Sequence, residues 1–144
     1  MTRVMAVDYG LKRIGIALTD PLQIIARPFD MIESVSLRKN ALKIIELAKN
    51  NDVSTIVLGL PISMNGSKGT MVEIVYNLIS EIQSLSNIEI TTIDERLTTI
   101  QAKRILVDEL NFSRGKIRLL KDKIAAALIL QTYLNIKINV HGTK

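Results

Sequence analysis

Residues 4–10 read Val-Met-Ala-Val-Asp-Tyr-Gly. Four apolar residues run into one carboxylate, and a glycine follows two positions later. A buried strand hands an acid to its exposed end in this way, so Asp8 is the first candidate for chemistry. A second apolar run, Ile14 to Leu18, is separated from the first by Gly10, Leu11, Lys12 and Arg13. The two runs read as a β-hairpin with a short glycine-containing loop. Taken alone, Asp8 is an ordinary turn residue. The remainder of the chain decides whether it is more.

Outward from the hairpin, Ile24 to Phe29 is a third short strand that Pro28 marks as an edge or an ending. From about Ser36 to Lys49, Ala41, Leu42, Ile45 and Ala48 recur at helical spacing, and Asn50-Asn51-Asp52 supplies the stop. Thr55 to Leu58 is a β-branched apolar run before Gly59-Leu60-Pro61, as expected of a strand covered on both faces. Pro61 to Gly69 is a polar loop with the turn signal Asn65-Gly66. Thr70 and Glu73 are spaced as a capping box before a helix marked by Val75, Leu78, Ile79, Ile82 and Leu85. Ile88 to Ile93 is a fifth strand that delivers Asp94-Glu95-Arg96 at its end. Thr98 and Gln101 suggest a second capping box and a helix to about Leu110. A final helix from about Asp122 to Ile136 is apolar all round at Ile124 to Leu130, hence mostly buried.

The order β-β-β-α-β-α-β-α-α predicts an α/β fold with a mixed five-stranded sheet and helices on both faces. The early strands are expected to be antiparallel and the later ones parallel through helical crossovers. A chain of 144 residues suits one compact domain, placed at 1–137, with 138–144 as a loosely ordered tail.

Composition narrows the chemistry. There is no cysteine, and the one histidine is His141, so disulfide frameworks, thiolate metal sites and Ser-His-Asp triads are implausible. Carboxylates remain. The N-terminus lacks a signal-peptide pattern, and the run Ile124 to Leu130 falls far short of the ~20 residues of a membrane span, so a soluble cytoplasmic protein is expected. Nineteen basic against fourteen acidic residues give a formal charge of +5, a moderate bias toward polyanions.

Three acids stand at the ends of elements: Asp8 after the first strand, Glu95 after the fifth, and Asp122 at the start of the last helix. The carboxyl ends of strands in open α/β sheets share a site-bearing edge. Each acid also has an ordinary reading, as a turn residue, a solvated loop acid and a charge favourable to the helix dipole.

The blocks VDYGLKRIGIALTD, LGLPISMNGSKG, DERLTTIQAK and KDKIAAALILQTYL, in this order and covering nearly the whole chain, resemble the signature blocks of the YqgF family. This family is also called RuvX-like, and its members are described as Holliday junction resolvases or pre-16S rRNA nucleases. The resemblance implies an RNase H-like fold and a metal site built from the acids of three of these blocks, here Asp8, Glu95 and Asp122. It further implies a hydrolase of ester bonds that either matures the 5′ end of 16S rRNA in ribosome biogenesis, the role favoured here, or resolves DNA junctions. A junction resolvase would act as a dimer with two sites; monomer and homodimer both stay open.

Hard Mg²⁺ or Mn²⁺ prefers carboxylate and water oxygens, which suits three acids without His or Cys. Two such ions about 3.5 to 4 Å apart can activate a water and stabilise the leaving oxygen of a phosphodiester. Asp8 would bridge them, Glu95 and Asp122 would flank them, and Gly10 would let a phosphate or water approach the backbone. Arg114, Lys116 and Arg118, in a basic segment with Lys103 and Arg104, are candidate phosphate contacts, as are Lys12, Arg13, Lys68 and Arg96. Aromatic residues are only 3% of the chain, so recognition by backbone shape fits structured nucleic acid better than base stacking. Two other classes compete. Asp8-Tyr9-Gly10 also matches a fragment of actin-like phosphotransferases, but these close nucleotide between two lobes and this chain supplies one. A non-catalytic module that grips structured RNA would keep the fold and be indifferent to loss of Asp8.

Overall fold

The computed structural model describes residues 2–62, 69–98, 103–105, 108 and 121–142, with 121–123 and 138–142 described by their backbone alone. The strands are β1 (Arg3–Tyr9), β2 (Arg13–Thr19), β3 (Ala26–Glu33), β4 (Val53–Leu60) and β5 (Glu89–Asp94). They form one sheet of five strands in the order β3-β2-β1-β4-β5. β1 pairs antiparallel with β2, and β2 antiparallel with β3. β1 and β4 are parallel, as are β4 and β5. The mixed sheet expected from the order of elements is therefore present, and β1 lies at its centre.

The helices are α1 (Leu37–Asn50), α2 (Thr70–Leu85) and α3 (Lys121–Gly142). Alternation along the strands feeds two cores. Met5, Val7, Ile14, Ile16, Ile56 and Leu58 pack with α1 and α2. Val4, Ala6, Ala17, Val57 and Ile93 pack on the opposite face with Ala126, Ala127, Ile129, Leu130 and Leu134 of α3. Small residues on the second face let α3 sit close to the sheet. No helix among the described residues is long and apolar enough to cross a membrane.

Several boundaries differ from the sequence expectation, each for a local reason. β3 continues past Pro28 to Glu33, because a bulge opposite Ile16 and Ala17 absorbs the proline on this edge strand. Leu42 is exposed; the buried face of α1 is Asn40, Ala41, Ile44, Ile45 and Ala48, the i, i+3, i+4, i+7 set. Ser36 caps α1, its side chain accepting from the Lys39 N–H. The capping box expected at Thr70 is absent: Gly69 is the N-cap and makes no side-chain bond, since Thr70 is already in the helix. The expected helix from Thr98 to Leu110 falls largely outside the described residues, though 103–105 and 108 are helical. α3 runs on to Gly142, so the backbone of the expected loose tail is helical as far as that glycine. No Gly or Pro interrupts the helix earlier, and extending a formed helix is cheap compared with starting one.

One buried polar group ties the carboxyl end of β1 to α1. The Asn40 side chain, 4% exposed, donates to the Tyr9 hydroxyl at 2.8 Å and to Ser34 Oγ at 3.0 Å, and accepts from the Val35 N–H at 2.9 Å. Asn40→Ala orphans the buried Tyr9 hydroxyl and removes the two part-buried bonds, and an unsatisfied buried group costs about 1–3 kcal/mol. The expected outcome is a destabilisation of about 2 kcal/mol or more, measured by urea unfolding, against a change within about 0.5 kcal/mol for the exposed Lys43→Ala on the same helix.

Candidate active site

Asp8 leaves the sheet on the face that carries α3. Val4 and Ala6 point into the α3 core, and alternation puts Asp8, two residues beyond Ala6, on the same side. Across the hairpin Asp8 stands opposite Gly15, and Gly15 opposite Met31. On the other flank Val7 pairs with Leu58, so the next residue of β4, Gly59, lies beside Asp8. Gly59 in turn pairs with Ile93 of β5. The acid is thus flanked on both neighbouring strands by a residue without a side chain.

Each gap is used differently. On the hairpin side, Asp8, Gly10, Lys12, Arg13, Gly15 and Met31 line a cleft of about 250 Å³. On the other side, the space above Gly59 is filled by Glu95. A Cβ added at Gly59 would come within 2.7 Å of Ile129 Cδ1 and 3.1 Å of the Glu95 carboxyl carbon. Gly59 is therefore a seat for the Glu95 side chain, which reaches back over β4 from the single 3₁₀ turn Glu95–Leu97 that follows β5. That turn is held by Asp94, whose carboxylate accepts from the Arg96 N–H at 2.9 Å.

The two acids also act on each other through their charges. Burial, then the charge of Asp8, then that of Asp94, pushes the Glu95 carboxyl above the ordinary glutamate range. Asp94 itself is lowered by its hydrogen bonds with Arg96. The Arg96 guanidinium is engaged on that carboxylate at 2.6 to 3.1 Å. The structure therefore places Arg96 as a brace of the turn.

Asp122 falls in the first turn of α3, and its side chain lies outside the described residues. The course of the helix is informative nonetheless. Ile129 packs at Gly59, while Lys137, further along, donates to Gln23 at 3.5 Å, and Gln23 donates to the Thr2 carbonyl at the start of β1. α3 thus runs against the direction of β1, and its N-terminal end is directed at the edge that carries Asp8. Asp122 precedes Ala126 by four residues and Ile129 by seven, both buried against the sheet, so its backbone position shares their side of the helix. Among the described residues no three His, Cys, Asp or Glu side chains gather as a metal-holding group.

Of the expected phosphate contacts, Lys12 and Arg13 line the cleft beside Asp8. Lys103 and Arg104 are exposed on a helical segment. Lys68, Arg114, Lys116 and Arg118 lie outside the described residues. Gly10 lines that cleft and also closes the hairpin, since a Cβ there would collide with the Arg13 carbonyl. Sequence reading missed Gly15 and Gly59. An isolated glycine within a strand pattern signals close approach of another group, and that signal was present at both.

The family described as RuvX, Holliday junction resolvase, matches residues 2–136. A protein of Endomicrobium trichonymphae named "Putative pre-16S rRNA nuclease" is 62% identical over 137 residues, which is 95% of this chain and 98% of that protein. A Roseiflexus protein of the same name is 41% identical over 134 residues, 92% of this chain and 94% of its own. Among solved structures, T. thermophilus RuvC in complex with a Holliday junction substrate has a TM-score of 0.60 at 9% identity and covers 96% of each chain. The fowlpox virus resolvase with Holliday junction DNA has a TM-score of 0.50 at 14% identity, covering 99% of this chain and 100% of its own. These two are likenesses of fold, and the fold is the RNase H-like one expected. By its sequence along nearly its whole length, this chain belongs to the RuvX family.

Proposed function

We propose that this nuclease, a hydrolase of ester bonds, cuts structured RNA at a carboxylate-held divalent metal site and processes the 5′ end of pre-16S rRNA. The observation that carries the reading is the Asp8–Glu95 pair, held on one face of the sheet with Glu95 desolvated beside the charge of Asp8. Two carboxylates kept together at such a cost are a hard-oxygen donor set that suits Mg²⁺ or Mn²⁺. The names of the relatives supply the substrate.

Asp8, Glu95 and Asp122 would hold the metal, Asp122 from the end of α3 that is directed at this edge. When bound, such ions neutralise the phosphate, acidify a water and stabilise the leaving oxygen. The chain's own contribution is positioning. Asp8 is fixed by the central strand, Glu95 by its seat over Gly59, and Lys12 and Arg13 stand where a phosphate entering the Asp8 cleft meets positive charge. Arg114, Lys116 and Arg118 extend the phosphate contacts along the substrate. Junction resolution is the second reading, favoured by the description of the family. Pre-16S rRNA fragment and four-way DNA junction offered in parallel, with Mn²⁺, separate the two: cleavage of the junction alone overturns the RNA role, and cleavage of neither overturns the nuclease.

Asp8→Asn should abolish stabilisation by divalent ions. Wild-type protein is expected to gain thermal stability with Mg²⁺ or Mn²⁺ according to RT ln(1 + [L]/Kd), about 2.7 kcal/mol at a hundredfold excess over Kd. Titration calorimetry and thermal unfolding check this, and unchanged ion binding in the variant would refute the site.

Glu95→Gln separates chemistry from binding. Loss of a charged ligand should lower single-turnover cleavage by about a thousandfold or more, while RNA binding, dominated by basic residues, stays within about tenfold. The same variant has a pH signature without metal. The folded wild-type protein holds the Glu95 proton more tightly than the unfolded chain does, so its stability falls as pH rises from the ordinary glutamate value of about 4.3 through the raised one. Above that window the loss is complete. Glu95→Gln should remove this segment of the pH–stability curve, as read by urea unfolding in chelator.

A further inference from the structure

Beside the Asp8 cleft lies a larger one of about 530 Å³, lined by Leu11, Lys12, Arg13, Met31, Ile32 and Glu33 among others. It shares Lys12, Arg13 and Met31 with the first, so the two adjoin as a trough beside Asp8 that reaches Glu33. Its volume is within the roughly 300 to 1,000 Å³ of small-molecule sites. The hairpin tip that walls it is well anchored: Gly10 packs tightly on the Arg13 carbonyl, and the Ser34 N–H donates to the Lys12 carbonyl at 2.9 Å. On this tip Leu11 is 69% exposed, a large apolar side chain next to two cations, and it belongs to neither core.

We propose that the trough is a subsite for one unpaired nucleotide next to the scissile phosphate, with its base against Leu11 and Met31 and its phosphate at Lys12 and Arg13. The inference rests on the nuclease reading and deepens it. A nucleotide has the three chemistries the trough offers. The face of a base is apolar and polarisable, and suits an exposed leucine and a methionine thioether. Its phosphate is an anion that Lys and Arg hold by charge-assisted hydrogen bonds. Glu33 presents carboxylate oxygens, which repel the phosphate and suit the exocyclic amine of a base edge, and this sets the nucleotide's direction in the trough. A base in a duplex has both faces stacked, so the ligand is a nucleotide out of the stack; apolar side chains at bases serve other nucleic-acid proteins in the same way.

The test uses RNA oligonucleotides of one sequence in which a single abasic position is scanned across the nucleotides flanking the cut. Equilibrium binding and single-turnover cleavage are measured with the wild-type protein and with Leu11→Ala, which folds because Leu11 contributes to no core. One position is expected at which loss of the base weakens the wild-type protein on the order of tenfold, and at which Leu11→Ala shows no further loss. If Leu11→Ala responds to every abasic position as the wild type does, the subsite is overturned. If binding shows the Leu11-dependent difference but no RNA is cut, the nuclease reading fails and the subsite stands.

Discussion

The position of Asp8 is set by the register of one strand between two cores. β1 sends Met5 and Val7 into the core beneath α1 and α2, and Val4 and Ala6 into the core beneath α3. A slip of one residue would exchange these sets, pushing Met5 and Val7 into the space that Val4 and Ala6 leave for a closely packed helix. The acid at the strand's end inherits this certainty. Asn40, bonded to the neighbouring Tyr9 hydroxyl, then ties that end to α1.

Against this rigid frame Glu95 stands in a place unfavourable to its charged form. Glu95 is brought from solvent to a seat beside another carboxylate, and the guanidinium next to it in sequence, Arg96, is engaged on Asp94. Asp94 thereby has two effects: it builds the turn that aims Glu95, and its charge adds to the repulsion Glu95 feels. Carboxylates brought together in this way favour a bound cation, proton or metal ion, in proportion to the repulsion it relieves.

Much of this architecture was legible in the sequence. Short apolar runs and 3.6-residue periodicity located five strands and the flanking helices, because burial on two faces imposes both patterns. The errors follow from interactions that local pattern does not encode. Whether Thr70 caps α2 or lies inside it depends on where the chain turns after β4. Pro28 could not signal that a bulge would let β3 continue. The meeting of Glu95 with Asp8 was readable only as a shared sheet edge, since the contact arises from the pairing of β4 with β5 and from the empty space over Gly59. The family blocks singled out Asp8 and Glu95, but the physical reason for the pairing appears only once the strands are side by side.

The two strand glycines also bear on how this protein can be engineered. Glycine weakens a strand, and its replacement by residues with higher β-propensity is an obvious way to stiffen a sheet. At Gly59 the added carbon would clash with Ile129 and press on the Glu95 side chain, and at Gly15 a side chain would enter the cleft beside Asp8. Glycine thus weakens the sheet where the candidate site requires room, and gains in thermal tolerance have to come from its other face or its edges.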